Sequence, residues 1–342
     1  MENPKIKQDI LFLLKRRFGY GHSYGAGYSS GLMNSATFVS DMLVAHGIKS
    51  KVIEVVDGNG LDKEIFIYKP KTVIIEALYV TPAKMQELQR LHPKVKFIVR
   101  VHSEIPFLAI DGIAVEWIKE YLAMGLFVSF NSQRTNRDFQ NLYPFAKDQI
   151  VYLPNYYKVE RGPDYHYNHT NFLKIAAFGS IRPLKNFLIQ AIAAQRLADE
   201  LDKTLVFSIN AERVEQNGEP NLRNIRSLFE DSNHILKEYN WLPHSDFIQI
   251  VKKQDLGMQM SFSESYNIVS ADFVNNNIPV VGSSEIEFLS SIYQASTTSI
   301  DDIISKMKLA LKLSKYNLQS LNKRKLKKLS LEAEKIWVKL LK

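Results

Sequence analysis

Short apolar runs alternate with amphipathic stretches along nearly all of this chain, and the alternation happens twice. Ile10 to Phe18 is a first apolar run with a basic end, and Leu32 to His46 has helical spacing closed by Gly47. Lys51 to Val56 and Thr72 to Leu78 are short strand-like runs. Pro82 to Leu91 opens with proline at a helix start, and Lys96 to Val101 is the next strand. Ile113 to Met124 and Thr135 to Leu142 are helical, with strands at Phe127 to Phe130 and Gln149 to Leu153. Strand, helix, strand in this order predicts a parallel sheet flanked by helices, because parallel neighbours need a crossover long enough to hold a helix.

From Lys158 to Asn171 the chain is polar, carries Gly and Pro, and has no period, as a linker would. The alternation then restarts. Strands are expected at Leu173 to Phe178, Thr204 to Ile209, Ile235 to Tyr239 and Leu256 to Met260, with Ile278 to Gly282 as a short buried strand. Helices are expected at Asn186 to Leu201, Leu222 to Phe229 and Phe247 to Lys253, the last capped by Ser245. Ile303 to Leu313 and Asn317 to Leu341 close the chain as basic amphipathic helices. The expected division is 1–160 and 161–342, with the last helix returning to pack on the first domain. A length of 342 residues suits two domains, each able to bury its own core.

The chain has no cysteine, which excludes disulfides, thiolate metal sites and a cysteine nucleophile. That suits a reducing cytoplasm. No apolar run approaches the roughly 18 residues of a membrane span, and the first residues lack the pattern of a signal peptide. The net charge of +8 is localised. From Lys306 onward twelve Lys and Arg face only Glu332 and Glu334, a net of +10, so everything upstream is close to neutral at −2. Such a tail either attracts nucleic acid or anionic lipid, or is a solvated helix face.

Two segments carry the densest chemistry. The first is Ser263-Glu264-Ser265-Tyr266-Asn267-Ile268-Val269-Ser270-Ala271-Asp272. Its carboxylates stand eight positions apart, within roughly 80° of each other on a helical wheel. Glu264 falls after a strand and Asp272 two turns into the expected helix, so both can reach the carboxyl edge of the sheet, where open α/β folds bind ligands. Alone, such a pair is more often a solvated helix face. The second segment is Gly179-Ser180-Ile181-Arg182-Pro183-Leu184-Lys185-Asn186, between a strand and a helix. Gly179 and Ser180 allow close backbone approach, the helix terminus offers N–H groups, and Arg182 and Lys185 add two cations suited to a diphosphate.

Taken together, these segments resemble retaining glycosyltransferases of the GT-B fold and family 4 type, whose Glu-x7-Glu signature stands here with Asp272 as its second member. The segments PKTVIIEALYVTPAKMQELQRLHPKVKFIVRVHSEIPFLAIDGIAVEW and FGSIRPLKN also resemble glycosyltransferase-like proteins of tailed bacteriophages. The resemblance implies two Rossmann-like domains facing across a cleft, and metal-independent transfer of a sugar from a nucleotide sugar, with retention. It implies that Glu264 bonds the donor sugar and that Asp272 accepts from the ribose, with a reach shorter than Glu by about 1.5 Å. Gly179, Ser180, Arg182, Lys185 and the amides of Tyr266, Asn267 and Ile268 would hold the diphosphate. His102, in Val101-His102-Ser103-Glu104 at a strand end, matches the position of a histidine near sugar and acceptor. Asn131-Ser132 and Pro154-Asn155 resemble weaker positions lining the cleft.

Gly19 to Gly31, with Tyr20, Tyr24 and Tyr28, is neither a dinucleotide fingerprint nor a P-loop; its rings suit stacking on a flat acceptor or simply a loop. No two Asp stand two apart, and His166 and His169 lack companion ligands, so no metal and no tightly bound cofactor is expected. A phage-like pattern and the basic C-terminal helices favour DNA as acceptor, specifically a hydroxymethylated pyrimidine, with the enzyme in the host cytoplasm. A lipid-linked or surface glycan, with peripheral docking on anionic lipid, is the alternative acceptor. An inactive sugar-nucleotide or nucleic-acid binding protein is the alternative class.

Overall fold

A computed structural model of the chain describes residues 7–16, 31–160 and 170–341. The tyrosine loop, His166 and His169 lie outside the described residues. The chain divides into one unit of Met1–Lys158 with Ser330–Lys342, and a second of Val159–Leu329.

In the first unit the elements run β1 (Ile10–Lys15), α1 (Gly31–Ala45), β2 (Ser50–Val55), α2 (Gly60–Tyr68), β3 (Thr72–Glu76), α3 (Pro82–Leu91), β4 (Lys96–Val101), α4 (Ile105–Leu108), α5 (Ala114–Ala123), β5 (Phe127–Phe130), α6 (Gln133–Leu142) and β6 (Ile150–Tyr152). All pairings are parallel, in the order β2-β1-β3-β4-β5-β6. Side chains alternate faces along a strand, and both faces of this sheet are covered. Ile10, Phe12 and Leu14 therefore pack with Ala36, Val39 and Leu43 of α1, while Leu11 and Leu13 pack with Leu61, Ile65, Val73 and Ile75 on the other side.

The second unit runs β7 (Phe172–Ala176), α7 (Phe187–Glu200), β8 (Thr204–Asn210), α8 (Glu219–Glu230), β9 (Ile235–Tyr239), α9 (His244–Val251), β10 (Leu256–Gln259), α10 (Ile268–Asn275), β11 (Val280–Gly282) and α11 (Ile300–Ser314). Its parallel sheet has the order β11-β10-β7-β8-β9. Renumbered within the unit this is the doubly wound order 3-2-1-4-5, and the direction of winding reverses between β7 and β10. Helix α12 (Ser320–Leu341) begins in the second unit, and from Ser330 it belongs to the first. There Trp337 is buried beside Phe12 and donates from Nε1 to the Pro154 carbonyl at 2.8 Å.

Several local expectations are corrected. Helices α2 and α4 were not expected; α2 is a nine-residue helix with only Leu61 and Ile65 buried, too little to raise an apolar period. Helix α9 starts at His244 after Pro243, with no side-chain cap, so Ser245 lies inside the helix instead of capping it. Helix α10 starts at Ile268, which places Asp272 little more than one turn in, not two.

Candidate functional site

In the second unit the loops after β7 and β10 leave adjacent strand ends at the winding reversal, the place where open α/β sheets bind ligands. Gly179 follows β7 with φ +123°, a backbone conformation that suits glycine alone. Its N–H donates to Asn210 Oδ1 at 3.1 Å. The loop then makes a short 3-10 turn at Pro183–Lys185 before α7. The two loops are stitched together by Phe262 N–H donating to the Leu184 carbonyl at 2.9 Å and Asn186 Nδ2 to Met260 O at 3.3 Å.

Lys185 and Glu264, 79 residues apart in sequence, meet here as a largely buried ion pair. Glu264 also accepts from Ser261 Oγ at 3.2 Å and Asn267 Nδ2 at 3.1 Å. Among the described residues all three bonds end on Oε2. Asn267 is fixed in turn. Its Nδ2 donates to Gln259 Oε1 at 2.9 Å, and its Oδ1 caps α10 by accepting from Ser270 N at 2.7 Å. Burial, with the charge of Arg182, draws the Lys185 ammonium below the usual lysine range against the pull of Glu264. Arg182 stands 3.9 Å from Glu215, and Ile181 before it is held between Arg213 O at 2.8 Å and Glu215 N at 2.9 Å. Arg182, Lys185, Glu264, Asn267 and the start of α10 are thus brought together.

Asp272 is placed differently. Its side chain is 1% exposed and pairs with His244 Nε2 at 2.8 Å. Burial works against charge on His244, but the bond to Asp272 outweighs it and raises the ring above the usual histidine value. Tyr266 packs its ring against Phe288, and its buried hydroxyl has no hydrogen-bond partner among the described residues.

The first unit holds a second polar cluster, again at carboxyl ends of adjacent strands. Glu76 ends β3, His102 follows β4, Asn131 follows β5 and Asn155 follows β6. Arg100 is completely buried. It donates to Glu76 at 3.2 Å, to the carbonyls of Leu153 and Pro154 at 3.2 and 3.1 Å, and to Asn155 Oδ1 at 2.6 Å. His102 bonds Glu76 through Nε2, and its Nδ1 lies 3.5 Å from Asn131 Nδ2. Burial alone would raise the Glu76 carboxyl, but the charge of Arg100, with the hydrogen bond from His102, holds it below the usual range. Burial draws His102 down against the attraction of Glu76. The neutral ring then donates Nε2–H to Glu76, which fixes its tautomer. Ser132 caps α6 by accepting from Thr135 N at 3.4 Å.

Sequence reasoning missed Glu76, Arg100 and His244. One signal was available: an arginine inside Phe97-Ile98-Val99-Arg100-Val101, a strand otherwise apolar on both faces, demands a buried partner. Among the described residues no group of three His, Cys, Asp or Glu is placed to hold a metal ion. No described helix is long and apolar enough to cross a membrane.

The two doubly wound, Rossmann-like units, together with the solved structures they resemble, give the chain a GT-B fold. No family model and no curated protein sequence matches the chain. Among solved structures it is similar to a glycosyltransferase from Rickettsia africae, with 14% identity, a TM-score of 0.68, and 98% of this chain and 99% of that one covered. It is also similar to an α,α-trehalose 6-phosphate synthase from Burkholderia multivorans, at 11% identity and TM-score 0.65 over 98% and 95% of the two chains. A third similar structure is an α-glucosyltransferase in complex with UDP-glucose and DNA containing an abasic site, at 12% identity and TM-score 0.62 over 95% and 94%.

Proposed function

We propose that this chain is a retaining, family 4-type glycosyltransferase that moves a sugar from a nucleotide sugar to an acceptor hydroxyl. The observation that carries the reading is the meeting of Lys185, Arg182, Glu264 and the capped start of α10 at the winding reversal of the second unit. Two cations and a helix amino terminus suit a diphosphate. The carboxylate beside them suits a sugar hydroxyl, which would donate to Glu264 Oε1. In the reaction the bond from the anomeric carbon to the phosphate oxygen breaks, and a bond from that carbon to the acceptor oxygen forms on the same face. The acceptor proton passes to the departing phosphate. Gly179, Ser180, Arg182, Lys185 and the amides of Tyr266, Asn267 and Ile268 stabilise the charge that grows on the leaving group, in place of a metal. His102, held by Glu76, serves the acceptor side as a neutral hydrogen-bonding ring.

The acceptor we propose is a hydroxymethylated pyrimidine of phage DNA, reached by flipping the base from the stack. Support comes from α12, where Arg324, Lys327, Lys328, Lys335 and Lys339 are exposed within about 120° of one another on the helical wheel. The similarity to an α-glucosyltransferase solved with DNA points the same way. A lipid-linked glycan is the second reading, favoured by Ile105, Ile110 and Val115, all about half exposed in the segment after His102.

The experiment is to incubate the protein with several nucleotide sugars and DNA containing cytosine, 5-hydroxymethylcytosine or 5-hydroxymethyluracil, then to weigh the digested nucleosides. A gain of one sugar on a hydroxymethylated base supports the proposal. Donor consumed without such a gain refutes the DNA acceptor and directs the search to glycans and liposomes. Donor bound but never turned over refutes the enzyme and leaves a binding protein.

A further inference from the structure

The pair of Asp272 and His244 departs from what the Glu-x7-Asp spacing suggests. A carboxylate that is 1% exposed and bonded at 2.8 Å inside the protein is already satisfied, whereas the His244 ring is 26% exposed. Asp272 accepts Nε2–H, because a carboxylate only accepts, and this fixes the tautomer and plane of the ring. The pair also sits beside the diphosphate loop. Phe178, immediately before Gly179, is packed between Phe247 of α9, at 5.1 Å, and Phe273 of α10, at 6.0 Å. Phe247 lies one turn after His244, and Phe273 adjoins Asp272. One aromatic cluster, edge-on to Phe247 and stacked on Phe273, therefore ties the first turn of α9 and the middle of α10 to the strand end that delivers Gly179. Glu264 lies before the amino terminus of α10 and Asp272 lies beyond it. A ligand with its diphosphate at that terminus and its sugar at Glu264 has its nucleoside to place on the remaining side.

We infer that His244 contacts the nucleoside of the donor, through a hydrogen bond to the ribose or the base, and that Asp272 is a positioning residue acting through His244. This inference rests on the nucleotide-sugar reading above. It also accounts for Asp instead of Glu: the shorter side chain reaches the ring, and the ring supplies the remaining length.

The test compares binding of a nucleoside diphosphate with binding of inorganic pyrophosphate, by calorimetry, in the wild-type protein, His244→Ala, His244→Gln and Asp272→Asn. Binding of UDP, ADP and GDP to the wild type first selects the nucleotide. We expect His244→Ala to weaken nucleoside diphosphate binding about tenfold, equivalent to one hydrogen bond, and to leave pyrophosphate binding within about twofold, as RT ln 2 is a small energy. His244→Gln, which keeps an N–H for Asp272, guards against a folding defect and should bind better than His244→Ala. Unchanged nucleoside diphosphate binding in His244→Ala, or an equal fall in pyrophosphate binding, overturns the inference. If Glu264→Gln abolishes donor turnover while His244→Ala binds normally, only this inference fails. If the wild type binds no nucleotide, it fails together with the reading beneath it.

Discussion

The buried pair of Glu76 and Arg100 makes the sharpest stability prediction. Replacing Glu76 by Leu leaves the Arg100 guanidinium at 0% exposure, still bonded to the carbonyls of Leu153 and Pro154 and to Asn155, but without its counter-charge. Removing one partner of a buried pair costs about 3–5 kcal/mol. For a domain of this size, roughly 2–4 °C is lost per kcal/mol, so the melting temperature should fall by about 6–20 °C. The double variant Glu76→Leu/Arg100→Met removes both charges and should be more stable than Glu76→Leu alone, since an apolar pair of similar volume often replaces a buried ion pair without loss. The sign of the pH dependence follows from the depressed Glu76 carboxyl. Its contribution is complete above the pKa of the unfolded chain and is lost as the pH falls through the lower folded value. The gap between wild type and Glu76→Leu should therefore be full at neutral pH and shrink in acid. Urea unfolding of the three proteins measures it. A cost below about 1 kcal/mol, typical of an exposed ion pair, would refute the assignment of a charged, dry network.

Arg182→Ala and Lys185→Ala should each lower turnover by about two to three orders of magnitude, the scale of losing a preorganised charge donor; near-normal rates in both would defeat the diphosphate assignment. Gly218→Ala should cost about 1–3 kcal/mol by overpacking, because its Cβ would stand 2.1 Å from the Ile181 carbonyl oxygen and push on the loop that carries Arg182. Turnover measured after chelation with EDTA should be unchanged, and a loss restored by a divalent cation would contradict a charge-only leaving-group site. Lys327→Glu with Lys328→Glu should weaken DNA binding and flatten its dependence on salt, as measured by titration at several ionic strengths.

Much of the fold was legible because a parallel α/β sheet writes its period into the sequence. The runs Phe127 to Phe130 and Ile235 to Tyr239 are strands at their expected limits. What failed was decided by contacts that no local period encodes. Helix α2 buries only Leu61 and Ile65 and leaves Phe66 exposed, so its apolar stripe is too short to raise a period. The cap on α9 was misplaced because Ser245 is a good cap in general, yet Pro243 already turns the chain two residues earlier. At the candidate site the residue types of Lys185, Arg182 and Glu264 were visible, but their grouping depends on β7 and β10 being neighbours, which is a property of sheet order. The pairing of Asp272 with His244 was hidden for the same reason, being a contact between helices 28 residues apart.

The central claim is that the second unit binds and activates a nucleotide sugar through Glu264, Lys185 and Arg182. The most direct measurement is release of nucleoside diphosphate from a panel of nucleotide sugars, with wild type and Glu264→Gln compared side by side. The account predicts release from at least one donor, reduced about 100-fold or more in Glu264→Gln, the scale of losing one preorganised polar contact. Equal release by the two proteins, or no binding of any nucleotide sugar by the wild type, would contradict it.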